Sequence, residues 1–108
     1  MNHYQLWERL GIDFDQLEAF CQQYEIAELA LFGSVLRDDF NEESDIDLLV
    51  SYKATARRGL LEKVRMMDEL KVLFRRKVDL VSKKAIANSQ NWIRRRNILE
   101  SAEVIYAA

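Results

Sequence analysis

Leu31-Phe32-Gly33-Ser34-Val35-Leu36-Arg37 and, shortly after, Ser44-Asp45-Ile46-Asp47-Leu48-Leu49-Val50 are the stretches whose reading decides the fold. Asp45 and Asp47 stand two apart in what otherwise reads as a buried strand, a spacing that sends both side chains to one face. Aspartate is disfavoured in strands and expensive to bury unpaired. Two of them in one apolar run point to a site that gathers positive charge, most simply a divalent cation. Just upstream, Gly33-Ser34 ends another apolar run. Glycine allows a tight turn, and serine can cap a helix start whose free N–H groups favour phosphate. A phosphate cradle beside a carboxylate pair is what a nucleotide-handling site requires.

Outside these stretches, the 108 residues suit one domain with a single core. Apolar residues make up 49% and charged residues 31%, an ordinary soluble balance. No apolar run nears the roughly 20 residues that cross a bilayer. Met1-Asn2-His3-Tyr4-Gln5-Leu6-Trp7 lacks the basic start and apolar block of a signal peptide. The lone Cys21 excludes an internal disulfide framework, fits an apolar helix stripe and agrees with a cytoplasmic location. The net charge of −2 hides an asymmetry: residues 1–54 carry three basic groups against twelve acids, residues 55–108 thirteen against six. Such a division either sets an acidic metal-binding wall against a basic one or neutralises itself across the fold.

Periodicity predicts a short helix or turn over Tyr4–Leu10 and an amphipathic helix over 13–24, carrying Phe14, Leu17, Cys21 and Tyr24. Strands are expected at Ile26–Phe32, Asp45–Tyr52 and Val78–Val81, with one or two helical turns at 34–38. A long helix over 57–75 would bury Leu60, Val64, Met67, Leu70 and Phe74. A last helix over 89–106 would align Trp92, Leu99 and Tyr106 by sevens. The whole is α/β, a small mixed sheet flanked by helices, with strand order left open between a parallel crossover and an antiparallel return.

Moving a nucleoside phosphoryl group asks little covalent chemistry of a protein. The triphosphate must be held, its charge neutralised, and an acceptor oxygen aligned with the α-phosphate. Mg²⁺ takes oxygen ligands, typically one or two carboxylates plus substrate phosphates. Asp45 and Asp47 meet that need. Asp79, centred in Val78-Asp79-Leu80-Val81, is the acidic residue of the basic half in a strand-like setting, and is the candidate for a third carboxylate that holds a second ion and activates the acceptor.

Gly33-Ser34, ten intervening residues and Asp45-Ile46-Asp47 resemble the signature of the polymerase-β-like nucleotidyltransferase superfamily, and the full chain resembles its minimal members. The resemblance implies that fold, with Gly33 and Ser34 on the β- and γ-phosphates of ATP and Asp45, Asp47 and Asp79 as a catalytic triad binding two Mg²⁺. Arg37 falls where many members have an arginine followed by glycine, and would help hold the nucleotide. Here Asp38 follows it, a departure that places an extra negative charge near the triphosphate. Many minimal members act as antitoxins of a HEPN-type toxin. The implied activity is therefore transfer of AMP from ATP to a hydroxyl, a tyrosine by expectation, of a HEPN-type ribonuclease partner, with which a hetero-oligomer would form. Two other readings stay open: steric neutralisation by a nucleotide-binding module, and transfer to a small molecule, for which the chain leaves no length for an acceptor domain.

The basic runs Arg57-Arg58, Arg75-Arg76-Lys77 and Arg94-Arg95-Arg96 read as solvated faces or as docking and guidance surfaces. Direct nucleic-acid binding is not expected from a slightly acidic chain without aromatic-interleaved basic motifs. Trp7, Trp92 and Tyr106 are expected in the core.

Overall fold

Four short apolar runs pair into one sheet. Ile26–Phe32 (β1), Ile46–Tyr52 (β2), Val78–Ser82 (β3) and Glu103–Ala107 (β4) lie in the order β3-β2-β1-β4 in the computed structural model, which describes residues 2–108. β1 is antiparallel to both β2 and β4, whereas β2 and β3 are parallel. The 15-residue helix Leu60–Phe74 (α3) makes the crossover that a parallel pair needs. The architecture is thus the mixed α/β sheet the sequence predicts, with the strand order now fixed.

Alternation along each strand sorts the side chains into two layers. Ile46, Leu48 and Val50 of β2 join Leu31, Val78 and Leu80 in the larger core, covered by His3–Leu10 (α1), Phe14–Gln23 (α2) and α3. The other face carries Ala30, Phe32 and Leu49, packed under Lys83–Ala87 (α4) and Trp92–Ser101 (α5) through Ile86 and Ile98. Asp47 shares its parity with Leu49, so it stands on this second, thinner face.

The first two helices begin by the same local device. Asn2 and Asp13 each accept a backbone N–H three residues on, at 2.8 and 2.9 Å, while Gln5 and Gln16 reach back to the cap. Such a reciprocal box is worth about 1 kcal/mol per cap. Cys21 is buried on α2, as its place on the apolar stripe suggests, and burial pushes its thiol up to about 12.

Two expectations fail, each for a physical reason. α3 starts at Leu60 rather than 57, and it buries Met66, Leu70 and Phe74. Leu60 is 79% exposed and Val64 48% exposed. Leu60, Leu61, Val64 and Val72 give this helix a second apolar stripe, so periodicity alone could not choose the buried one. The expected helix over 89–106 instead divides into α5 and β4. Ala102 turns extended (ψ 137°), and the β-prone run Val104-Ile105-Tyr106 pairs with the free edge of β1, Ala30 opposite Val104 and Leu29 opposite Tyr106. Spacing by sevens therefore never forms a stripe: Tyr106 is buried from a strand, and Trp92 is exposed rather than core. Trp7 is half-buried against Phe14, edge to face at 6.1 Å. Among the described residues no helix is long and apolar enough to cross a membrane.

Candidate functional site

β1 ends at Phe32, directly opposite Asp47 in the antiparallel register. The chain then turns sharply into a 3-10 turn over Gly33–Leu36, with Gly33 at φ +76°. That left-handed conformation favours glycine, and space demands it too. A Cβ on Gly33 would overlap the Asp47 Oδ2 and lie 3.2 Å from its carboxyl carbon. The turn backbone and the Asp47 carboxylate are therefore in direct juxtaposition. The expected serine cap is not made; no side chain caps this short turn, and the Ser34 hydroxyl instead donates to the carbonyl of Asp45 at 3.2 Å. This bond ties the Gly33-Ser34 turn to the residue leading into β2.

Asp79 on β3 is in register with Asp47 across the parallel pair, on the same face. Neighbouring strands lie about 4.8 Å apart, which sets the scale of that approach. Asp45 precedes β2 and, like Asp79, is exposed, whereas Asp47 is half-buried. Partial burial, then the charges of Asp79 and Asp45, push the Asp47 carboxyl above its ordinary range, and Arg37 opposes them. Arg37 is thus close enough to act on Asp47 while its Nε pairs with Asp39 at 3.1 Å on the exposed surface. Of the neighbours open to it in sequence, Asp39 is the partner, not Asp38.

The loop joining Arg37 to Asp45 is held by residues whose role the sequence did not disclose. Phe40 is gripped between two guanidinium groups, Arg76 at 4.6 Å and Arg9 at 5.6 Å from its ring centroid. Arg76 also donates to the carbonyls of Ser44 (2.9 Å) and Asn41 (3.1 Å), and Arg9 to that of Val35 (2.9 Å). Arg76, read as part of a charge run, is a structural clamp on the backbone that delivers Asp45. An aromatic inside an otherwise acidic loop was the available signal. A second missed contribution comes from α5: Asn97, Glu100 and Ser101 face Gly33, Leu36 and Arg37 across an open cavity of about 540 Å³.

Among the described residues no three or more His, Cys, Asp or Glu side chains already form a group that could hold a metal ion. The donor set is nonetheless suited to Mg²⁺. It is all oxygen, its like charges disfavour one another at Asp47, and Mg²⁺ ordinarily completes its shell with substrate phosphates and water rather than an all-protein cage. Asp45, Asp47 and Asp79 would be its holders, and bound there it would neutralise phosphate charge.

A positive-φ turn touching a carboxylate, which itself faces a second carboxylate across a parallel pair, defines an α/β domain of the phosphoryl-handling class. The chain belongs to the nucleotidyltransferase domain family, whose model matches residues 15–105. Among its relatives, protein adenylyltransferase MntA of Thermococcus cleftensis is 31% identical over 65 residues, 60% of this chain and 64% of that one. MJ1379 of Methanocaldococcus jannaschii, named as a candidate protein adenylyltransferase, is 36% identical over 66 residues, 61% of this chain and 66% of that one. The chain thus spans slightly less than two thirds of the length of these relatives. A solved structure described as a candidate minimal nucleotidyltransferase superposes with TM-score 0.59 at 29% identity, covering 85% of this chain and 95% of that one. A toxin–antitoxin structure with AMP-PNP superposes with TM-score 0.66 at 15% identity, covering 90% and 75%, a likeness of fold.

Proposed function

We propose that this chain is a Mg²⁺-dependent protein adenylyltransferase that acts as an antitoxin, transferring AMP from ATP to a tyrosine hydroxyl of a HEPN-type ribonuclease toxin. The observation that carries this reading is the Gly33 backbone set against Asp47, with Asp79 in register beside it. Relatives named for protein adenylyltransfer and a fold shared with a toxin–antitoxin protein support it.

In this reading the backbone of Gly33 and Ser34 receives the β- and γ-phosphates, and Arg37 supplies positive charge at the rim. Asp45, Asp47 and Asp79 would hold the cation, which would lower the charge of the triphosphate. The acceptor oxygen attacks the α-phosphorus, and the bond from that phosphorus to the β-phosphate oxygen breaks. Pyrophosphate leaves with the bonding electrons, and the hydroxyl proton passes to Asp79, an exposed carboxylate in register with Asp47. The thin α4–α5 face leaves the room an acceptor as large as a protein side chain needs. The reaction belongs to the cytoplasm, where ATP and a toxin partner coexist.

Incubating the chain with α-labelled ATP, Mg²⁺ and the product of the neighbouring gene tests the proposal. Label should appear on the partner's tyrosine and vanish with Asp45→Asn/Asp47→Asn. Partner that is neutralised without label, equally by wild type and by the double variant, would establish steric inhibition instead.

A further inference from the structure

A second cavity lies outside the carboxylate site, at the C-terminal ends of β2 and β3, where the chain enters α3. It has a volume of about 360 Å³, within the range of small-ligand sites at roughly 300–1,000 Å³. Arg57, Arg58, Lys63 and Lys84 line it, against the single acid Glu62. None of these four cations takes part in an ion pair among the described residues. Each of the ion pairs found among the described residues, Lys83–Glu28 at 2.7 Å included, has its own carboxylate. The four cations outnumber the one acid that lines the space with them, an arrangement that costs mutual repulsion. Tyr52, Met66 and Leu80 form an apolar wall, and Ser51 and Ser82 add hydroxyls.

The geometry points to a second, polyanion-binding site in this cavity, for a small oligophosphate, either free or as the tail of a nucleotide. It stands apart from the Gly33–Asp47 site, because β2 carries Asp47 near its start and Val50, Ser51 and Tyr52 at its end. Those positions are separated by three to five residues of extended chain, about 10–17 Å. Its charge is opposite as well: cations crowd this end of the strands, carboxylates the other. Glu62 is the internal competitor. Its Oε2 lies 2.6 Å from where a Cβ on Gly59 would stand, so its carboxylate folds over the entrance to α3 that a phosphate would share. Occupation of this pole would let the chain respond to phosphate species, such as the pyrophosphate its reaction releases, without blocking the carboxylates.

Titrating the full chain with inorganic tripolyphosphate in EDTA, followed by backbone amide NMR, tests the site. Saturable shifts are expected at Arg58, Gly59, Lys63 and Lys84, weakening as KCl is raised. Arg58→Glu/Lys84→Glu should weaken binding at least about tenfold, while Glu62→Gln should tighten it about threefold. Arg58 and Lys84 are exposed and Glu62 is half-buried, and the paired opposite effects separate loss of a site from loss of fold. A parallel titration with ATP identifies the source: tighter binding than tripolyphosphate assigns the apolar wall to the nucleoside, equal binding assigns the site to free phosphates. Shifts confined to Gly33–Arg37, affinity indifferent to both variants, or a response to an oligonucleotide but not to tripolyphosphate would each overturn the inference. Failure here leaves labelling of the toxin partner unaffected.

Discussion

Among the described residues, nineteen buried ones form one apolar cluster on the α1–α2–α3 side of the sheet, whereas five do on the α4–α5 side. The carboxylates stand on the second side, at the end where α4 and α5 give no full cover. A site that must hold charge cannot lie under a thick apolar layer, since unpaired ionised carboxylates there would cost several kcal/mol. The thick face supplies the stability that lets the thin face carry repelling charges. Asp47 sits at the boundary: its neighbours Ile46 and Leu48 point into the large core, and it points out.

The largest effect that would sharpen this division is chemical. Asp45→Asn/Asp47→Asn should reduce AMP transfer by a thousandfold or more, about 4 kcal/mol of transition-state stabilisation, as read by label incorporated into the partner. Its thermal midpoint in EDTA should not fall, because neither side chain contributes to the core. A double variant that lost activity only through unfolding would break the division. Next comes Leu31→Ala on the thick face, with Leu31 fully buried in β1. It should cost about 3 kcal/mol in denaturant unfolding, within the range for buried leucines. Ile98→Ala on the thin face, at 9% exposure, should cost about 2 kcal/mol, the low end for a buried isoleucine. Equal losses would show that the two layers share the load.

Gly33→Ala tests the junction of the faces. The substitution meets both a left-handed backbone and the Asp47 carboxylate, so it should cost about 1–3 kcal/mol of stability. Transfer should fall further than that loss of folded protein accounts for, since the displaced group is Asp47 itself. Gly11→Ala is the control: it shares a positive φ, +69°, but no atom lies within 4 Å of its added Cβ. It should lose stability and leave transfer per folded molecule unchanged.

What was legible in the sequence follows the same boundary. The Gly33 turn and the Asp45-Ile46-Asp47 alternation were readable because a charged residue inside an apolar run has few structural explanations. Asp79 was readable for the same reason, and its register opposite Asp47 follows from the parallel crossover that α3 makes. The face of α3 was not, because two apolar stripes compete on it and only the sheet decides between Met66 and Val64. β4 was not, because Glu103–Ala107 pairs with an edge more than 70 residues away in sequence, Leu31 opposite Glu103 at the nearest, a contact no local pattern encodes. The Arg9–Phe40–Arg76 clamp was hidden likewise, since each residue looks like ordinary loop or surface charge until the chain folds.

The smallest effect concerns the charge at the boundary itself. Burial and the nearby Asp79 and Asp45 raise the Asp47 carboxyl in the folded state, whereas the unfolded chain leaves it at its ordinary value near 3.8. A group whose acid form is favoured by folding stabilises the fold below its folded value and opposes it above. Its cost is therefore fully present at neutral pH and is relieved as pH falls through the raised range. Asp47→Asn should accordingly raise the thermal midpoint by a few degrees at pH 7 in EDTA, with the gain shrinking as pH approaches the carboxylate range. Transfer should show the opposite slope in the wild type, declining on the acid side as Asp47 takes up the proton and can no longer hold a cation. Stability and activity thus pull this one carboxylate in opposite directions. A pH-independent gain in the variant would mean that shape, not charge, sets the cost of Asp47, and would remove the electrostatic reason for placing it on the thin face.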